Sequence, residues 1–335
     1  MITIIKGFIA IIALLFILIL LFLTKLLFNL RTGNRRVQQE LAATHYDPMP
    51  DIGAVDTLKV LPLVDFYSDD SRLKTEAGVS YLIKTDHSTI LMDVGFNKLK
   101  EHPSPMLHNM NTLDISVQNL DAIVISHIHL DHVGGMTEQR KNTFSLSQGP
   151  VHLPEIPVYA PGTITPSKFN PGPVSEVINH PKMLKKGVAS IGAIPRNLFL
   201  AGYTLEHCLA IKLVGKGIVL IIGCGHPTIE RIIERTQLLF KEPIYGIIGG
   251  LHFPVHGGRI MIGPINLQSL VGCDRPPWKG INEQDVRQAI NAIKKVNPQF
   301  ISLSPHDSSD WSIQQFKDAF GDSYHDLKIG TPLVL

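Results

Sequence analysis

Cysteine is scarce in this sequence, three among 335 residues. Cys208, Cys224 and Cys273 are odd in number and widely spaced, which argues against a disulfide framework and fits a reducing compartment. Net charge is also small, +2 with 15 histidines uncounted, so no single-sign field favours a polyanion. No basic stripe with interleaved aromatics is present, and a nucleic-acid partner is not expected. A G-x-S-x-G elbow, a phosphate-cradling loop and a dinucleotide fingerprint are missing too, which removes the chemistries they serve.

One further absence is local. Residues 7–24, GFIAIIALLFILILLFLT, hold no charge and are bracketed by Lys6 and Lys25. As a helix the run is about 27 Å long, close to the hydrocarbon thickness of a bilayer. A cleaved signal has a shorter apolar core with small residues just after it, whereas Ala42 and Ala43 come late. A buried core helix needs a polar face, and none exists. The run is therefore read as an uncleaved single-pass anchor in the lipid bilayer. Lys25, Arg31, Arg35 and Arg36 after the span, against Lys6 before it, place the following chain on the cytoplasmic side.

Three regions are expected: an anchor over 1–25, a polar juxtamembrane linker over 26–56, helical through VQQELAA, and one catalytic domain over 57–335. In the domain, strand-like runs come first: KVLPLVDFY, GVSYLIKT, STILMDVG and DAIVIS. Later, CLAIKLVG, GIVLIIG, IYGIIGG and FISLSP alternate with helical patterns over 228–241 and 282–296, the second opened by Asn282 with Asp285. A layered α/β or α+β sandwich over about 57–335 fits this order better than two domains. Residues 137–200 and 253–281, rich in Pro and Gly, fit neither strand nor helix and are read as long loops, either disordered or covering a site. Lys182, Lys185 and Lys186 within the first are either a solvated cluster or a contact for an anionic substrate.

The densest chemistry lies in AIVISHIHLDHVGGM, residues 122–136. An apolar strand runs directly into His127, His129, Asp131 and His132. At an extended strand end alternate residues share a face, and a following turn brings the last two into the same pocket. Imidazole with carboxylate suits zinc, and also iron or manganese.

The H-x-H-x-D-H pattern in SHIHLDHVGG resembles the signature of the metallo-β-lactamase fold superfamily. GVSYLIKTDHSTILMDVGFN resembles its early strand pair, and GCGHPTIERII, GGLHFP and SPHDSSD resemble one branch of metal-dependent hydrolases. That branch includes dihydropterin-ribofuranosylaminobenzene phosphate synthases. The resemblance spans about 58–335 and implies a four-layer αββα sandwich. It also implies two divalent transition-metal ions, zinc foremost, one held by His127, His129 and His226 and the other by Asp131, His132 and His306. Asp93 is implied to brace the histidine loop. Gly223-Cys224 stands where most of the superfamily has a metal-bridging aspartate, so Cys224 is either a thiolate ligand or a small buried residue. Glu206 and His207 are held in reserve as ligands, and Asp307 replaces a cysteine of the branch.

The implied activity is hydrolysis of a small ester, lactone or phosphate ester by an activated water, with the leaving group protonated by Asp131 or His252. His252 is read as substrate-facing or proton-transferring, with ligand and structural roles as its alternatives, and His256 is a weaker candidate for the same site. Two other readings stay open: transfer chemistry on a pterin-like phosphorylated substrate, and a non-catalytic metal-stabilised binding or sensing module at the membrane.

Overall fold

The computed structural model describes residues 2–263 and 265–335. Met1, inside the expected anchor, and Pro264, inside the stretch 253–281, lie outside the described residues. The helices are α1 (Ile2–Ala43), α2 (Pro105–Thr112), α3 (Met136–Lys141), α4 (Ile229–Leu239), α5 (Leu267–Val271), α6 (Glu283–Val296) and α7 (Asp310–Phe320).

Two sheets face each other. The first runs Leu333–Val334, Leu58–Val64, Ser80–Thr85, Thr89–Met92, Ala122–Val124, Pro157–Ala160, Val174–Val177. The second runs Phe300–Leu303, Ile244–Gly249, Gly217–Ile222, Leu209–Leu213, Val188–Ser190, Lys182–Lys185. Successive side chains of a strand point to opposite faces, and here both faces are buried. Val60, Ile83, Ile90 and Met92 meet Ile211, Val219 and Ile221 between the sheets. Their neighbours Leu61, Leu82 and Leu91 turn the other way, onto Met106 and Met110 of α2. Leu220 and Ile222 turn outward onto Ile232 of α4 and Ile293 of α6. Each such aliphatic side chain contributes about 1.5–3 kcal/mol by burial. The result is the four-layer αββα sandwich expected from the sequence.

The strands Gly217–Ile222, Ile244–Gly249 and Phe300–Leu303 are parallel, and α4 and α6 make the crossovers between them. Asn282 caps α6 through a reciprocal capping box with Asp285, as its spacing suggests. The stretch 137–200 differs from its reading as a covering loop. It supplies edge strands to both sheets and the hairpin Ile194–Leu198/Gly202–Glu206, with Leu146, Val158 and Ile191 buried. Short edge strands tolerate proline, which disguises them in the sequence. Lys182 pairs with Glu176 on such an edge, away from the histidines.

α1 crosses the boundary expected at 25/26 without a break. Among the described residues it is the one helix long and apolar enough to cross a membrane. Ile4–Leu23 are solvent-exposed along their apolar side chains. The second half instead packs on the hairpin 194–206: Leu30 and Val37 are buried, and Asn197 Nδ2 donates to the Leu30 carbonyl at 3.2 Å. Tyr203 donates its hydroxyl to Glu40 at 2.6 Å, and the Arg36 guanidinium lies 4.1 Å from the Tyr203 ring centroid.

Candidate metal centre

Every side chain of the cluster leaves the carboxyl end of a strand. Asp93 follows Thr89–Met92, and His127 to His132 follow Ala122–Val124. Cys224 and His226 follow Gly217–Ile222, His252 follows Ile244–Gly249, and His306 follows Phe300–Leu303. Parallel strands end together, so their sequels converge in one crevice between the sheets.

Three ligand groups result, each with its donor atoms within 4.8 Å of one another: His127, His129, His226; Asp131, His132, Cys224, His306; and Cys224, His226, His252. Cys224 Sγ lies 3.1 Å from His132 Nε2 and 3.2 Å from His306 Nε2. It therefore stands at the junction of the groups.

Hydrogen bonds fix which ring nitrogen faces inward. The Ser126 hydroxyl donates to Asp93 Oδ2 at 2.7 Å, so it accepts from His127 Nδ1 at 2.9 Å and leaves the His127 Nε2 lone pair free. Ser304 repeats the device, donating to Asp65 at 2.5 Å and accepting from His306 Nδ1 at 2.6 Å. His132 Nδ1 donates straight to Asp93 Oδ2 at 2.7 Å. His252 is turned over: its Nε2 donates to the Gln268 carbonyl at 2.9 Å, leaving Nδ1 inward. Gly223 leaves the room that Ser126 fills, since a Cβ there would collide with the Ser126 hydroxyl.

Buried polar atoms nearly always have partners. Here His127 Nε2, both ring nitrogens of His226 and His252 Nδ1 are buried without one. Burial holds His127, His226 and His306 well below the ordinary histidine range and His129 at about 4, so these rings are neutral and carry lone pairs. His132 goes the other way: burial opposes its charge, but Asp93 and Asp131 outweigh that and raise it to about 9. The acidic half thus calls for positive charge. Inward lone pairs on one side and anionic groups on the other fit a transition-metal centre.

The structure brings His127, His129, Asp131, His132, His226, His306, Cys224, Asp93 and His252 together. It does not bring in His207, whose ring nitrogens bond Ser190 Oγ at 2.7 Å and the Ile125 carbonyl at 3.0 Å. Glu206 is also occupied. Its carboxylate accepts from the backbone N–H of Cys224, Gly225 and His226 and so shapes the turn that carries two ligands. Burial nonetheless pushes that carboxyl up to about 7. His256 lies outside, exposed and paired with Glu283. Sequence reading missed Asp65, Ser126, Ser304 and Gln268, although the serines stand one and two residues before a ligand histidine. It noted Asp307 only as a departure, yet Asp307 is buried beside His306 and accepts from His252 N at 2.9 Å. Strain gathers here as well: Asp93, Thr228 and His252 all have positive φ, at 60°, 82° and 55°.

Two cavities open beside the cluster. One of about 830 Å³ is lined by Phe66, Phe96, Leu99, Leu130, Met261 and Val271, among others. The other, about 380 Å³, has His226 and His252 in its wall together with Arg196, Arg231 and Arg275. The stretch 253–281 separates them with α5. Gln268 Nε2 donates to the His306 carbonyl at 2.8 Å, and Arg259 donates to the carbonyls of Pro305 at 2.7 Å and Ser308 at 2.8 Å.

Comparison with known proteins places this architecture. The crystal structure of Tm1679, a metal-dependent hydrolase of the β-lactamase superfamily, superposes with a TM-score of 0.54 at 17% identity, over 82% of this chain and 98% of that one. The metallo-β-lactamase fold protein YhfI from Bacillus subtilis gives 0.51 at 14% identity, over 84% of this chain and 100% of its own. The chain has the metallo-β-lactamase fold. A 7,8-dihydropterin-6-methyl-4-(beta-D-ribofuranosyl)-aminobenzene-5'-phosphate synthase from Methanocaldococcus jannaschii is 25% identical over 246 residues, 60% of this chain and 80% of that protein. The superfamily and branch named from the sequence are both matched. The family model described as anti-Pycsar protein Apyc1 matches residues 70–153.

Proposed function

We propose that this metallo-β-lactamase-fold chain is a membrane-anchored hydrolase that carries two divalent metal ions and splits a small ester, lactone or phosphate ester with water. The observation that carries the reading is the set of ligand groups linked through Cys224 and His226, with buried imidazole nitrogens that have no protein partner. His127, His129 and His226 would hold one ion and Asp131, His132 and His306 the other, with Cys224 available as a further thiolate donor. Zinc is the first choice for imidazole, carboxylate and thiolate donors, with iron or manganese next. When bound, such a pair acts as a Lewis acid and lowers the pKa of water towards neutrality.

The chain's own groups do the rest. Ser126, Ser304 and Asp93 hold the ligand rings in one tautomer, and burial excludes competing solvent. Asp131, intermediate in exposure, delivers or receives the proton, and its neighbour Leu130 lines the larger cavity. His252, the alternative proton carrier, lines the smaller one. Residues 7–24 anchor the chain in the bilayer, with the domain on the cytoplasmic side and a small molecule as its substrate.

The synthase name of the archaeal relative supports a second reading, in which a pterin-like phosphorylated substrate undergoes transfer instead of hydrolysis. Elemental analysis of the detergent-purified full chain, with a phosphodiester and lactone panel run in ¹⁸O-labelled water, tests both. Hydrolysis predicts about two metals per chain and one labelled oxygen in the product. A metal-free active protein overturns the metal centre, and unlabelled product favours transfer.

A further inference from the structure

The smaller cavity is built unlike the larger one. Its floor is the start of α4: Thr228, Ile229 and Glu230 line it, and Thr228 offers no side-chain cap to the helix. The opening N–H groups of a helix carry partial positive charge and suit an anion. Two arginines stand over that turn. Arg196 gives Nη2 to Asp274 at 2.8 Å, but its Nε is buried without a partner. Arg231 Nη1 is likewise buried and unpartnered. Burial and then the charge of Arg196 hold the Arg231 guanidinium below its ordinary range, while Asp274, Glu234 and Glu230 act the other way. The third arginine, Arg275, is paired with Asp285 at 2.7 Å. The wall towards the metal centre is His226, only 4% exposed, with both ring nitrogens unpartnered.

We propose that this cavity is a phosphoryl subsite, in which Arg196, Arg231 and the first turn of α4 hold a phosphate group of the substrate against the metal centre. The assignment rests on the hydrolase reading for the word substrate, but not for the binding itself. Donors come from two elements, Arg196 on the strand Ile194–Leu198 and Arg231 with the first turn of α4, which suits a phosphate group with several free oxygens. Glu230 and Asp285 also line the cavity, and the larger, mainly apolar cavity beyond α5 accommodates the remainder of such a molecule.

The test titrates inorganic phosphate into the full-length protein in detergent, by calorimetry, before and after chelation. Wild type binds phosphate in both states, because guanidinium groups survive a chelator. Arg231→Gln weakens that binding about tenfold or more, Arg231→Lys less, and metal content stays at the wild-type level in each. Arg196→Gln gives the same direction and guards against a folding defect in one variant. Dihexanoyl phosphatidic acid titrated in parallel separates the sources: displacement of bound phosphate points to a lipid phosphomonoester, indifference to a soluble one. Phosphate binding equal in wild type, Arg196→Gln and Arg231→Gln overturns the subsite. Failure of the hydrolase reading is separate, since it shows as no turnover of bis(p-nitrophenyl) phosphate by the metal-loaded protein while the phosphate titration keeps its dependence on Arg231.

Discussion

The two ligand groups of the centre grow from one loop, His127 to His132, yet they differ in charge and in what holds them. His127, His129 and His226 are three imidazoles kept neutral mainly by burial. The group of Asp131, His132, Cys224 and His306 is acidic, and its rings are locked by carboxylates, Asp93 directly and Asp65 through Ser304. The neutral group can hold a cation only by lone pairs. The acidic one demands a cation by charge, as the raised value of His132 shows. One strand end therefore serves two chemistries, because His127 and His129 precede the turn that begins at Leu130 and Asp131 and His132 follow it.

Removing Asp131 should have the largest effect on that contrast. Asp131→Ala is expected to cut turnover at least about a thousandfold, with the ion of the neutral group retained by elemental analysis. A loss under tenfold places the chemistry elsewhere. Asp93→Asn comes next: it unlocks His132 directly and His127 only through Ser126, so metal affinity falls about 10–100-fold and chiefly at the acidic group. Equal weakening of both ions breaks the distinction. Cys224→Ser acts at the junction, and the cobalt-substituted protein should lose its thiolate-to-cobalt absorption with a metal-affinity change of about tenfold. An unchanged spectrum means the thiol is no ligand.

The smallest effect is on stability. Asp65 is buried, and desolvation raises its carboxyl from 3.8 to about 7. Between those values the folded chain keeps a proton that the unfolded chain has lost. Its contribution is present below pH 3.8 and falls away as pH rises through about 7, by at most about 1.4 kcal/mol per pH unit. Buried neutral histidines act in the opposite sense, losing stability as pH falls below 6.5. Thermal melts of wild type and Asp65→Asn from pH 4.5 to 7.5 isolate the term: the variant should decline less with rising pH. Parallel curves exclude it.

The loop half of the centre was legible because its ligands are local, six residues that one strand end holds together. His226 and His306 were legible only through family likeness, since nothing in their own neighbourhood links them to residue 127. The bracing groups were illegible for a different reason. Asp65, Ser304 and Glu206 work by reaching residues distant in sequence, and each alone looks like an ordinary strand-end polar residue. The elements of the layers followed from short apolar runs and helical patterns and their four-layer arrangement from family likeness, whereas the edge strands within 137–200 were hidden by proline.

The unbroken course of α1 has a consequence for how the molecule could search its surroundings. A helix rises about 1.5 Å per residue, so from Thr24 to Glu40 it forms a stiff post about 24 Å tall. The post is fastened along most of its length, from Leu30 through Val37 to Glu40, onto the hairpin 194–206. Seated in a bilayer, such a post would set the crevice at a fixed altitude and bearing, turning with the helix but unable to swing freely. Molecules approaching at that height would meet the opening far more often than those approaching from the side away from the post. A flexible tether of the same length would give no such preference.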